Sequence, residues 1–66
     1  MHFHKIQGTY KATRVDGQII TIERAEEGSE WVSRYEDDFE GDNTAYFKTK
    51  REAVASENHI ENLIRG

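Results

Sequence analysis

Residues 4–14 alternate between two sets of side chains, which is the pattern of a β-strand with one buried face. One face would carry His4, Ile6, Gly8, Tyr10, Ala12 and Arg14. The opposite face would carry Lys5, Gln7, Thr9, Lys11 and Thr13. The pattern therefore predicts a single half-buried strand over this stretch.

A hairpin turn follows, because Asp16-Gly17 is a turn signal and residues 19–22 are rich in β-branched strand formers. With a two-residue loop, polar positions of one strand lie opposite apolar positions of the other. A three-residue loop ending at Gly17 instead sets Tyr10 opposite Ile22, so that both strands bury one common face. Gly17 then adopts the left-handed conformation, which glycine tolerates without steric cost. We therefore predict the three-residue loop.

The next strand covers residues 31–36, where Trp31, Ser33 and Tyr35 share one side. We expect this aromatic side to face the core. The acidic segment 37–43 then forms a loop. Residues 44–48 form either a short fourth strand or an extended lead-in to the last element.

The last element is a helix that begins after Thr49. Thr49 and Glu52 fit a capping box, in which Thr49 accepts from the Glu52 amide and the Glu52 carboxylate reaches back to the Thr49 amide. The helix runs to residue 64 or 65, and its apolar stripe consists of Ala53, Ile60, Leu63 and Ile64, with Val54 at the margin. The predicted fold is α+β, a three- to four-stranded antiparallel sheet followed by one C-terminal helix packed on one face, in a single domain spanning residues 1–66.

Composition limits what such a domain can do. A chain of 66 residues buries only about 60 % of the surface that its unfolded form exposes. Without cysteine it has no disulfide and no thiolate metal site. No apolar run approaches the ~20 residues of a membrane span, and no signal-peptide pattern follows the first residue. We therefore expect a cytoplasmic protein without a membrane partner.

The sequence does not predict an enzyme. A carboxylate pair that acts as acid and base needs one desolvated group in a cleft, which so small a domain rarely offers. The chain has no Ser-His-Asp pattern and no glycine-rich phosphate loop. A zinc site formed by His2, His4 and His59 is the alternative, but exposed histidines near a terminus and on a helix are ordinary. We expect a non-enzyme without cofactor or metal.

Acidic residues point instead to protein binding. The chain has 13 acids against 9 bases and a net charge of −4. The proposed contact set surrounds one aromatic residue and comprises Glu36, Asp37, Asp38, Phe39, Glu40 and Asp42. Phe39 is either an interface anchor or a lid folded over the sheet edge. The sequence therefore predicts a small regulator or inhibitor whose partner is a larger, basic protein.

Nucleic-acid binding is the alternative function. The sheet face opposite the helix would collect Lys5, Thr9, Lys11, Thr13, Thr21, Arg34, Tyr46 and Lys48. Lys50 and Arg51 stand in the first helical turn, where the helix dipole disfavours cations. The alternative DNA- or RNA-binding set is Lys11, Arg34, Lys48, Lys50 and Arg51.

A family resemblance supports this alternative. Residues 31–37 and 47–53, with the element Thr-Lys-Arg-Glu-Ala at 49–53, resemble the small amino-terminal DNA-binding domains of phage integrases. The resemblance implies that a three-stranded sheet enters the major groove. It further implies that Lys11, Arg34 and Lys48 contact DNA while Lys50 steadies a phosphate.

Self-association is compatible with either function. An antiparallel sheet without proline leaves an exposed strand edge, which can pair with a second copy and give a homodimer. A short, acidic chain without cysteine is also typical of proteins that phages and mobile elements encode.

Overall fold

The computed structural model describes residues 1–38 and 43–66. The described residues form five strands and one helix: β1 His4–Ile6, β2 Thr9–Thr13, β3 Ile19–Arg24, β4 Trp31–Tyr35, β5 Ala45–Phe47 and α1 Lys50–Arg65. The strands form one antiparallel sheet in the order β1-β2-β3-β4-β5, so every strand pairs with its neighbour in the chain. The α+β class and the C-terminal helix are as predicted, and residues 44–48 do contain a strand.

The prediction of one strand over residues 4–14 is wrong, because the chain reverses within this stretch. Ile6 pairs with Thr9 across a two-residue turn. Both turn residues have positive φ, 51° at Gln7 and 84° at Gly8, as a type I′ hairpin turn requires. The reversal moves Ile6 away from the buried face, and 53 % of this residue is exposed.

The second hairpin has the predicted three-residue loop. The amide of Arg14 donates to the carbonyl of Gln18 at 2.7 Å, which closes the loop. Tyr10 lies opposite Ile22, and Gly17 has a φ of 92°. A side chain at this left-handed position would strain the backbone, so glycine is the residue that fits the turn.

A buried cation braces this turn. Arg14 donates from Nε and Nη2 to the two carboxylate oxygens of Asp16, at 2.9 and 2.8 Å. Its guanidinium also lies 5.1 Å from the ring centre of Tyr35. The hydrogen bonds from Arg14 hold the pKa of Asp16 below its ordinary value of 3.8. The same pair raises the pKa of Arg14 further above its usual range, so Arg14 stays charged.

This pair makes stability depend on acid pH. Because the pKa of Asp16 is lower in the folded than in the unfolded state, its contribution is present above pH 3.8 and is lost as pH falls through the folded pKa. We expect Asp16→Asn to be less stable near neutral pH and to lose less stability between about pH 5 and pH 3. Urea unfolding at both pH values measures this difference, with Asp37→Asn as the control. An unchanged acid-side slope in Asp16→Asn would contradict the assignment.

The core lies between the helix and one face of the sheet. Its buried apolar members are Ala12, Ile20, Ile22 and Ala53, while Val32 is buried on the opposite face of the sheet. Thr49 precedes the helix in an extended conformation, and its hydroxyl accepts from the Glu52 amide at 3.1 Å. That bond confirms the first half of the predicted capping box. The helix then packs across β3, β4 and β5.

The buried face of α1 differs from the predicted apolar stripe. Its buried residues are Ala53, Glu57 and Glu61, whereas Leu63 and Ile64 are 67 % and 43 % exposed. The spacing of four residues puts both carboxylates on the face that meets the sheet. No helix in the described part of the chain has the length and apolar character needed to cross a membrane.

Each buried carboxylate has a polar partner in the sheet or its turns. Glu57 accepts a hydrogen bond from the Ser33 hydroxyl at 2.5 Å, at the centre of β4. Glu61 accepts from the Val15 amide at 3.0 Å, and it also pairs with the N-terminal ammonium at 3.4 Å and with Arg65 at 3.6 Å. The helix is therefore anchored to the sheet by polar bonds as well as by apolar packing.

Candidate functional site

The sheet face turned away from α1 is the first candidate surface, and we call it the open face. It presents the residues that alternate with the core positions: Ile6, Thr9, Lys11, Thr13, Ile19, Thr21, Glu23, Val32, Arg34 and Tyr46. Strand pairing sets Thr21 between Lys11 and Arg34, and these long side chains leave Thr21 buried. The open face is therefore a threonine-centred surface rimmed by charges.

The charges of the open face neutralise one another. Lys11 Nζ lies 3.3 Å from a carboxylate oxygen of Glu36, and Arg34 pairs with Glu23. Thr9 adds a hydroxyl donor to Glu23 at 3.3 Å. Exposed pairs of this kind contribute only about 0–1 kcal/mol to stability. Their main effect is to remove the excess positive charge that the sequence pattern predicted for this face.

The other members of the nucleic-acid set lie elsewhere. Lys48, Lys50 and Arg51 belong to the junction of β5 and α1. Lys50 lies on the helix side of the sheet, with its ammonium 3.8 Å from the ring centre of Tyr10. Lys5 pairs with Tyr10 in the sheet and shares that side, so its predicted place on the open face is wrong. The structure does not unite the set on one face.

A shallow depression at one end of the sheet is the second candidate surface. We call it the acidic end, and its lining consists of Gly17, Gln18, Ile19, Glu36 and Asp37. The amide of Glu36 donates to the carbonyl of Ile19 at 2.9 Å, which joins the start of β3 to the residue after β4. Ile19 is 40 % exposed there. An exposed apolar side chain thus lines this depression together with two exposed acids, of which Glu36 also pairs with Lys11.

The predicted protein-binding set lies partly at this end. Glu36 and Asp37 belong to the acidic end, and both are exposed. Asp38 is half-buried, and its carboxylate accepts from the amide of Asn43 at 2.9 Å. The remaining residues of the set, Phe39, Glu40 and Asp42, lie outside the described residues. Ile19 was absent from the predicted set, although its place after the turn signal could have suggested it.

The three histidines are not brought together. His4 pairs with Lys11 and shares its side of the sheet, whereas His59 is exposed on the helix that covers the other side. Within residues 1–38 and 43–66, no group of three or more His, Asp or Glu side chains is placed to hold a metal ion.

The two edges of the sheet are β1 and β5, each three residues long. A short edge offers few free backbone groups to another strand, which limits pairing between chains. Tyr46, on β5, is 62 % exposed on the open face. A homodimer through a strand edge stays a prediction of the sequence.

Aromatic and basic side chains meet at the end of the sheet opposite the acidic end. The rings of Tyr10 and Trp31 lie 6.3 Å apart between centres, tilted by 55°. Lys5 and Lys50 lie 5.8 and 3.8 Å from the Tyr10 ring centre, and Arg24 lies 5.6 Å from that of Trp31. The sequence pattern does not predict this cation–aromatic cluster, because the hairpin between β1 and β2 is what brings Lys5 to Tyr10.

Comparison of the chain with protein-family models, with curated proteins and with solved structures gave no match.

Proposed function

We propose that this chain is a small, non-catalytic binding module that recognises a basic partner protein through the acidic end. The observation that carries the proposal is the exposure of Ile19 in a depression that it lines together with the exposed acids Glu36 and Asp37. By occupying the surface of its partner, the chain would regulate or inhibit that protein.

The apolar and the acidic side chains of the acidic end contribute differently to binding. An apolar side chain that becomes desolvated at the centre of an interface contributes affinity, and charged groups around it contribute orientation and rate. A net charge of −4 accelerates encounter with a positively charged surface. The acidic end combines both roles in a surface of a few residues.

Nucleic-acid binding through the open face is less well supported. Affinity for nucleic acid comes mainly from cations that neutralise phosphates. The two cations of the open face, Lys11 and Arg34, each pair with a carboxylate of the same protein. A phosphate would have to displace Glu36 or Glu23 before it could bind, and the acidic end lies directly beside it.

The double variant Ile19→Ala/Asp37→Lys tests the proposal. We expect at least about a tenfold loss of affinity, because one apolar anchor is truncated and one favourable charge is reversed. The partner is first identified by cross-linking to the wild-type chain and is then titrated, as a purified protein, against both chains by calorimetry.

Ile6→Ala/Glu26→Lys is the matched control for this test. It makes the same chemical changes at an exposed isoleucine and an exposed acid remote from the acidic end. We expect less than about a twofold change in affinity, as is usual for residues outside a contact. Equal losses in the two variants, or no loss in either, would exclude the acidic end as the contact.

A further inference from the structure

The nine lysine and arginine residues divide into two groups according to their partners. Four of them pair with a carboxylate: Lys11 with Glu36, Arg14 with Asp16, Arg34 with Glu23 and Arg65 with Glu61. The other five have no carboxylate partner among the residues that the structure describes: Lys5, Arg24, Lys48, Lys50 and Arg51. Within residues 1–38 and 43–66, five cations of an acidic protein are thus left without a neutralising carboxylate.

All five cations lie at one end of the molecule, which we call the cationic end. Three of them belong to the cation–aromatic cluster on Tyr10 and Trp31. The other two, Lys48 and Arg51, flank the start of α1. Strands β2 and β4 begin at this end of the sheet, β3 and β5 finish there, and the helix starts there, so the topology alone gathers these residues.

This placement is unfavourable for the isolated protein. Lys50 and Arg51 occupy the first turn of α1, where the positive end of the helix dipole opposes cations. Carboxylates are also close in the chain, at Glu52 and in the exposed loop before β4, yet the five cations form no ion pair with them. Charges held apart in this way remain available to an external anion.

The aromatic rings hold the cations while leaving most of their donors free. A cation over a ring face is attracted by the ring quadrupole, and the N–H groups that point away from the ring can still bind oxygen. Lys5 and Lys50 share one ring, so two ammonium groups are kept near each other despite their repulsion. A ligand with several negative charges in a row would relieve that repulsion.

We propose that the cationic end binds the phosphate backbone of a single-stranded nucleic acid. A strand carries one charge at every nucleotide and so matches several cations at once. The cations are spread around a sheet end and a helix start rather than over one flat face, which a flexible strand can follow more readily than a rigid duplex. Tyr10 and Trp31 add ring surface against which a base can pack. This site is separate from the acidic end and does not depend on it.

Trp31 provides a direct test, because it is the sole tryptophan of the chain and belongs to the cluster. The wild-type chain is titrated with an oligothymidylate of about 15 nucleotides while Trp31 emission is recorded, at several salt concentrations. We expect a saturable change in emission. The plot of log K against log salt should have a slope of about −2 to −3.5, as three to five phosphate contacts on a single strand predict.

The variant Arg24→Gln/Lys50→Gln removes two of the unpaired cations and keeps Trp31. We expect at least about a tenfold loss of affinity at low salt and a slope shallower by about 1.4, since each contact contributes about 0.7. The matched control is Lys11→Gln/Arg65→Gln, which changes net charge equally through paired cations. It should change affinity less than about twofold. Circular dichroism checks both folds, and Lys5→Gln/Arg51→Gln repeats the test if the first pair misfolds.

Several outcomes would overturn the proposal. Absence of a change in Trp31 emission at low salt would exclude the site. Equal losses of affinity in the variant and in the control would show that binding depends only on net charge. Tighter binding to a duplex of the same length would exclude single-strand recognition. Equal binding to oligoglutamate would show that the cationic end recognises acidic peptides instead. Because none of these measurements involves the acidic end, failure here leaves the proposed protein contact untouched.

Discussion

Replacing Ile22 with alanine is expected to unfold most of the chain. Ile22 has 0 % exposure and lies on β3 between Tyr10 and Ser33, its partners on the neighbouring strands. Truncating a buried isoleucine to alanine costs about 2–5 kcal/mol of folding free energy. The removed methyl groups no longer contribute their free energy of burial, and the cavity that they leave adds a further cost. A domain of this size without disulfides holds roughly 3–5 kcal/mol in total. The substitution therefore removes most or all of the stability.

Thermal and urea unfolding followed by circular dichroism measure this effect. Ile6→Ala is the control, because the same side chain on β1 is 53 % exposed on the open face. Substitutions at such surface positions usually stay within about 0.5 kcal/mol. A folded, stable Ile22→Ala chain would mean that the sheet does not depend on the β2–β3–β4 core.

The second large effect is expected from Ser33→Ala. Ser33 is buried at the centre of β4 and donates to Oε1 of Glu57, while Oε2 of Glu57 is buried and without a hydrogen-bond partner in the described structure. Removal of the hydroxyl would leave the buried carboxylate without this donor as well. A buried polar group that loses its partner costs about 1–3 kcal/mol, and a charged one costs more. We expect a loss of at least that range.

The same argument predicts a rescue. Adding Glu57→Leu to Ser33→Ala removes the carboxylate together with its lost partner, and buried polar pairs replaced by apolar groups are often neutral or even stabilising. We expect the double variant to be more stable than Ser33→Ala alone. Chemical denaturation of the wild type, both single variants and the double variant completes the cycle. A double variant as unstable as the sum of the single losses would show that the Ser33–Glu57 bond is not the cause.

The two hairpins show what local sequence can predict. The turn at Gly17 could be predicted from the sequence. Asp16-Gly17 is a turn signal, and only the three-residue loop lets both strands bury one common apolar face. The turn at Gln7 and Gly8 was missed because Gly8 also fits a strand alternation, and glutamine is not a typical residue at positive φ. A two-residue turn shifts the alternation by one residue, since Ile6 and Thr9 share a face. The three residues of β1 are too short a stretch for periodicity to reveal that shift.

The helix face was predicted wrongly for a different reason. The pattern argument assigns apolar residues to the buried side, which favoured Leu63 and Ile64 over Glu57 and Glu61. The carboxylates are buried because specific donors meet them, one from β4 and one from the turn before β3. Such partners depend on three-dimensional placement, so they are invisible to periodicity.

The charge map could be predicted only in part. The acids near the acidic end were identified from the sequence, whereas the neutralisation of Lys11 and Arg34 depends on the register of β4 against β3. That register was not available from any turn signal. The cationic end was missed for the same reason, since it joins residues from four strands and the helix start.

The strictly sequential order of the strands has a consequence for how the chain acquires its fold. Each strand pairs with the one synthesised just before it, so the sheet can grow one hairpin at a time as the polypeptide leaves the ribosome. Such a meander has short loops to close and a low contact order, which favours fast folding. The helix is made after all five strands, and its carboxylates then meet donors that the finished sheet already holds in place.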